Sequence, residues 1–91
     1  DVQTMDKPVP KGDGVFEATG RTTIEAFEEA LGPVLNDEER GEVDTLGGLI
    51  FSLAGRIPSR GEVVRHPNGL EFEILDVDPR RIRRLRVRRR T

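Results

Sequence analysis

The spacing of apolar residues changes period once along this chain, and that change decides the fold class. From residue 46 to 53, Leu46, Leu49, Ile50 and Leu53 recur as they would along one face of a helix. From residue 70 onward they alternate instead: Leu70, Phe72 and Ile74 share one parity, and Glu71 and Glu73 the other. Gly55, Pro58 and Gly61 lie between the two regimes and punctuate them. A helical stripe followed by a half-buried strand calls for helices packed on one face of a sheet.

The flanking segments extend this pattern. "VFEATG" (Val15–Gly20) predicts a strand closed by glycine. "RTTIEAFEEALGP" predicts a helix with Thr22 as N-cap and Glu25 completing a capping box. Ile24, Phe27 and Leu31 fall on one face of it, and Gly32–Pro33 stops it. Asn36 and Glu39 offer a cap for one further turn. Asp44 is the expected N-cap of the helix over residues 45–54, which Gly55 ends. "EVVRH" (Glu62–His66), "LEFEILDV" (Leu70–Val77) and "RIRRLRV" (Arg81–Val87) read as strands joined by the turns "HPNG" and "DPRR". The expectation is an α+β domain: a short strand, two helices, then an antiparallel β-meander, with the helices on one sheet face. Residues 1–12, polar and rich in Pro and Gly, predict an extended lead-in, and residues 13–90 the domain.

Composition removes several classes of chemistry. The chain has 91 residues and no cysteine, so disulfides, thiolate metal sites and a cysteine nucleophile are excluded. No apolar run approaches the roughly 18 residues of a membrane-spanning helix. The start at Asp1, without an initiator Met, points to a piece of something larger. The net charge of −2 conceals an uneven distribution. Residues 1–79 hold all 17 acidic residues and seven basic ones, a balance of −10, whereas residues 80–91 hold eight arginines and no acid.

No constellation of nucleophile and base is evident. Ser52 lies in a predicted helix and Ser59 in a loop, neither near a candidate base, and His66 begins a turn where a solvated histidine is expected. Asp37, Glu38, Glu42 and Asp44 gather near the start of the second helix, where they complement helix dipoles. They are also the weak candidates for a divalent cation, although no EF-hand spacing is present. Gly47 and Gly48 fall inside the first turns of a helix with no lysine after them, so neither a phosphate loop nor a dinucleotide GxGxxG is present. They read as close-packing positions. In the last strand, Leu85 and Val87 are expected to face the core. Arg84 and Arg86 then face outward, opposite Glu71 and Glu73. Arg84, Arg86, Arg88 and Arg89 are the candidate polyanion contacts. An anionic membrane surface is favoured over nucleic acid, because aromatic stacking platforms are missing and the body is acidic.

The stretch "DTLGGLIFSLAGRIPSRGE" resembles the signature of the CorC/HlyC transporter-associated domain, an Asp-Thr-Leu-x-Gly helix followed by Gly-Arg-Ile-Pro-x-x-Gly. The resemblance runs back through "DGVFEATGRTTIEAFEEALG" and forward through "GLEFEILDVDPRRIRRLRVRR", about residues 11–90. Its pattern positions are Asp44, Thr45, Gly48, Gly55, Arg56, Ile57, Pro58 and Gly61, read as structural; Gly47 stands where alanine is common. The resemblance implies a C-terminal module on the cytoplasmic face of a hemolysin-like or magnesium–cobalt efflux membrane protein. Transmembrane and cystathionine-β-synthase-type (CBS) domains of the same protein are then its partners. It also implies a fold related to part of a flavin-binding oxidase fold, so FAD enters by fold analogy alone. The expected function is a non-catalytic regulatory and interaction module without a cofactor, self-associating as a homodimer. The alternative is a sensor for a flavin, an adenine nucleotide or a divalent cation.

Overall fold

Eight elements follow along the described residues: β1 (Val9–Gly12), β2 (Val15–Thr19), α1 (Ile24–Leu31), α2 (Asp37–Glu42), α3 (Leu46–Ala54), β3 (Val63–Arg65), β4 (Leu70–Val77) and β5 (Ile82–Arg89). The structure, a computed structural model, describes residues 7–33 and 35–89, with Arg40 described by its backbone alone. The first six residues of the expected lead-in, and Arg90, lie outside the described residues. The strands form one antiparallel sheet in the order β1-β2-β5-β4-β3, so the last strand sits at its centre. This is the expected α+β arrangement with one strand added.

The added strand is β1, which corrects the end of the lead-in expected over residues 1–12. Gly12, Asp13 and Gly14 all take positive φ, so the chain folds back tightly and β1 pairs with β2. All four β1 residues are exposed, so no apolar alternation marks the strand. Pro10 lacks an N–H, which suits an edge strand. The short helix is α2, the further turn for which Asn36 and Glu39 offer a cap: Asn36 accepts from the Glu39 N–H and Glu39 reaches back to the Asn36 N–H, the reciprocal capping box.

Both longer helices start one residue later than expected. Thr23, not Thr22, caps α1 by accepting from the Ala26 N–H at 3.1 Å. Thr45, not Asp44, caps α3 by accepting from the Gly48 N–H at 3.1 Å. Thr22 is instead fully buried, its hydroxyl accepting from the Thr19 N–H at 3.3 Å. Gly55 ends α3 in the left-handed conformation, as anticipated.

One sheet face carries the core. Phe72, Ile74, Leu85 and Val87 from the sheet meet Phe27 of α1 and Leu46, Leu49 and Ile50 of α3, and all eight are almost fully buried. The other face is charged. Arg86 lies opposite Glu17 and Glu73, with ion pairs at 3.4 and 3.3 Å, and Arg84 reaches Glu17 at 3.3 Å. Of the expected pairing of Arg84 and Arg86 with Glu71 and Glu73, Arg86 does oppose Glu73, whereas Arg88 opposes Glu71 and Arg84 opposes Asp76. Irregular register around Asp76 accounts for the remaining difference, turning Ile82 into the core although it shares sequence parity with Arg84 and Arg86.

His66 is buried rather than solvated. Its Nδ1 accepts from the Asn68 N–H at 3.1 Å, which leaves the Nε2 proton to be donated to Glu39 at 2.7 Å. This contact ties α2 to the β3–β4 turn.

Candidate functional site

Two chain crossings build the junction on which a site can form. Thr23 and Thr45 form an isolated antiparallel bridge, the Ile24 N–H donates to the Asp44 carbonyl, and the Leu46 N–H donates to the Thr22 carbonyl, both at 2.9 Å. α1 and α3 therefore spring from the same point. Just beyond it, the Gly47 N–H donates to the Gly20 carbonyl at 2.9 Å. A Cβ on Gly47 would stand 2.9 Å from that oxygen, and a Cβ on Gly20 would stand 2.0 Å from the Ile82 carbonyl oxygen. Gly20 and Gly47 let three backbones approach where side chains would hold them apart. The amides that open α3 are all engaged internally, since the Gly48 and Leu49 N–H groups donate to Thr45. No amide cradle is left there for an anion.

A groove of about 530 Å³ crosses this junction. Gly47, Gly48 and Phe51 line it from α3, and Ile57 from the loop that follows. Phe51 lies off the buried stripe of α3 and is 48% exposed. Three arginines complete the lining: Arg21 after β2, and Arg80 and Arg81 from the β4–β5 turn. Asp78 fixes that turn, its Oδ1 accepting from the Arg80 and Arg81 N–H groups at 2.8 Å each. Those two bonds hold the Asp78 carboxyl below its ordinary value, and Arg81 and Arg83 add to the effect. Among the described residues, no histidine or carboxylate side chain lines the groove. It offers apolar surface and positive charge, with no acid–base pair.

The loop that carries Ile57 is clamped. Arg56 donates to both Glu62 oxygens, at 3.1 and 2.6 Å, and the Ser59 N–H donates to Glu62 at 3.0 Å. Arg56 first, then the Ser59 N–H, hold the Glu62 carboxyl below the usual value of 4.5. A folded value below the unfolded one means the clamp stabilises fully above about pH 4.5 and loses that contribution as pH falls through the folded value. In Glu62→Gln, the urea midpoint should therefore fall less between about pH 5 and about pH 3 than in the parent chain. Equal falls would contradict a stabilising clamp.

The signature positions from Asp44 to Gly61 surround this groove and its loop. Thr45, Gly48 and Ile57 line it. Pro58 is fully buried, and Gly61 at φ 90° donates its N–H to the Ile74 carbonyl. Asp37, Glu38, Glu42 and Asp44 are exposed, and among the described residues no three His, Cys, Asp or Glu side chains converge as a metal would require. Arg84 and Arg86 are engaged by Glu17 and Glu73, Arg89 donates to the Leu31 carbonyl at 2.7 Å, and Arg88 is exposed on the outer sheet face. The Glu17 carboxyl, pushed up by partial desolvation, is pulled below its ordinary value by Arg86, Lys11 and Arg84 together. The sequence does not mark Phe51, Gly20 or Arg21 as site residues. The one available signal was Phe51, an apolar residue off its helix's stripe.

Comparison with known proteins places this geometry. Residues 9–91 match the CorC_HlyC family, described as a transporter associated domain. A magnesium and cobalt efflux protein CorC from Vibrio cholerae is 42% identical over 72 residues, covering 79% of this chain and 23% of that protein. A possible hemolysin C from Rickettsia bellii is 30% identical over 70 residues, again 23% of its length. The chain thus spans about a quarter of the curated relatives it matches. Among solved structures, a CorC Mg2+ and Co2+ transporter-associated region from Neisseria meningitidis superposes with TM-score 0.79 at 31% identity, covering 92% of this chain and 99% of that one. A CorC_HlyC domain of a Xylella fastidiosa hemolysin, in complex with Mg++ and Mn++, superposes with TM-score 0.73 at 34% identity, covering 92% and 98%.

Proposed function

Because this chain belongs to the CorC_HlyC family of transporter-associated domains, we propose that it is a non-catalytic regulatory and interaction module of a longer membrane protein engaged in magnesium and cobalt efflux. The observation that supports this reading is the groove beside α3, an apolar concavity edged by arginines that no histidine or carboxylate side chain lines among the described residues. The relatives have most of their length outside the matched stretch. Transmembrane and CBS-type domains of the same protein, at the cytoplasmic face, are the natural partners. Self-association belongs to the same reading, with the β3 edge and its exposed Val63 as the surface for it. Contact with an anionic membrane surface would fall to Arg88, since Arg84 and Arg86 already have carboxylate partners.

A second reading, divalent-cation sensing, draws on the Mg++ and Mn++ complex of the Xylella relative. Its candidate ligands here are Asp37, Glu38, Glu42 and Asp44. The interaction reading stands first because the groove is preformed and those carboxylates do not converge. Ion flux through the longer protein with and without residues 9–89 tests the choice.

A further inference from the structure

We infer that the groove between α3 and the β4–β5 turn is a docking site for an acidic polypeptide segment that presents an apolar side chain between its carboxylates. The inference rests on the interaction-module reading and names the surface through which the module works.

Phe51 supplies the apolar half. The buried side of α3 is complete with Leu46, Leu49 and Ile50, so the fold does not need a phenylalanine at position 51. It stands half in water beside Ile57, where an incoming apolar side chain would cover both. The volume of about 530 Å³ accommodates such an anchor with its neighbours.

The arginines supply the charge. The first 79 residues are strongly acidic, yet the groove is lined by Arg21, Arg80 and Arg81 and, among the described residues, by no carboxylate. Arg81 faces Asp78 at 3.8 Å, whereas among the described residues the Arg80 guanidinium makes no ion pair and is the charge most available to a partner. Guanidinium groups around an apolar surface complement carboxylates around an apolar side chain.

Other occupants fit less well. A nucleotide would want backbone amides for its phosphates, and the amides opening α3 are engaged by Gly20, Thr22 and Thr45. It would also want polar side chains to read a base edge. Thr45 offers its hydroxyl, and that already caps the helix. A bilayer would want Phe51 to crown a protrusion, whereas it lines a concavity.

The test uses the 91-residue chain, labelled for amide NMR, and a synthetic peptide with a leucine–phenylalanine pair flanked by glutamates. The same peptide with glutamines, ATP, and phosphatidylcholine vesicles with and without phosphatidylglycerol form the other arms. The glutamate peptide is expected to shift the Gly48, Phe51, Ile57 and Arg80 resonances saturably. Phe51→Ser should weaken it about tenfold, the scale of losing one apolar anchor. Arg80→Glu should weaken it at least as much. Both side chains are exposed, so the spectra should stay folded; if Phe51→Ser does not, Arg80→Glu decides alone. An absent response, an equal response to the glutamine peptide, or undiminished binding by the variants overturns the proposal. So does a response of these resonances to ATP or to anionic vesicles in place of the peptide. Should the peptide fail while deletion of the domain still alters ion flux, the docking site is lost and the module reading survives.

Discussion

Replacing Gly20 by alanine is expected to destabilise the chain by about 3 kcal/mol or more, at the upper end of what overpacking costs. The methyl group would sit 2.0 Å from the Ile82 carbonyl oxygen, a backbone atom that cannot rotate away. Relief requires moving the end of β2 off the start of β5, and that strains the Gly20 N–H bond to the Arg83 carbonyl. It also displaces the Gly20 carbonyl, which accepts from Gly47 at the start of α3. One methyl group therefore disturbs strand, helix and groove together. Gly41→Ala is the matched control, because a Cβ there meets nothing within 4 Å and the site is helical. That variant should be neutral or more stable by up to about 1 kcal/mol. Urea denaturation of the three chains decides; a Gly20→Ala loss below about 0.5 kcal/mol would contradict the close approach.

Phe72→Ala should cost about 3–5 kcal/mol, comparable to much of the roughly 5–10 kcal/mol expected of a domain this size. Phe72 is fully buried in the first half of β4, with its ring centroid 6.3 Å from that of Phe27 on α1. Truncation leaves a cavity between sheet and helix layers that neither rigid element can close. Phe27→Ala should cost a similar amount, and the double variant should reveal a coupling of about 0.5–1.5 kcal/mol from the tilted ring pair. Phe51→Ala, by contrast, should change stability by less than about 1 kcal/mol. The same residue type thus separates core from groove, and a large loss at Phe51 would mean that it holds the fold together.

Periodicity carried most of the architecture. Ile24 and Phe27 on α1, the stripe of α3, and the alternation of β4 all bury the sides their spacing indicates. β1 escaped because it buries none of its residues and leaves no apolar signal. The N-caps shifted by one because Thr22–Thr23 and Asp44–Thr45 each present two capping side chains in succession. Burial of Thr22 at the chain crossing, a tertiary effect, selects the second at α1. The partners of the β5 arginines depended on an irregular register at Asp76 that local alternation cannot express. The burial of His66 depended on Glu39, far away in sequence. The groove was hidden for the same reason: Arg21, Phe51, Ile57 and Arg80 come from four separate segments.

The role of Gly47 and Gly48 illustrates how residues of one motif divide their work. Gly47 lets α3 approach Gly20, whereas a Cβ on Gly48 would meet nothing closer than 3.4 Å, and Gly48 contributes the N–H that the Thr45 cap accepts. Gly47 and Gly20 bring the start of a helix against a strand end, and the groove is a consequence of that contact. Its chemistry then comes from the side chains around it.

The proposal that this chain regulates transport without catalysing anything meets its most direct test in ion flux. Mg2+ and Co2+ efflux would be followed in cells carrying the longer protein, with and without residues 9–89. Efflux that persists in the shortened form, but with an altered rate or altered dependence on ion concentration, is the result predicted. Efflux unchanged in both respects after the deletion would contradict it.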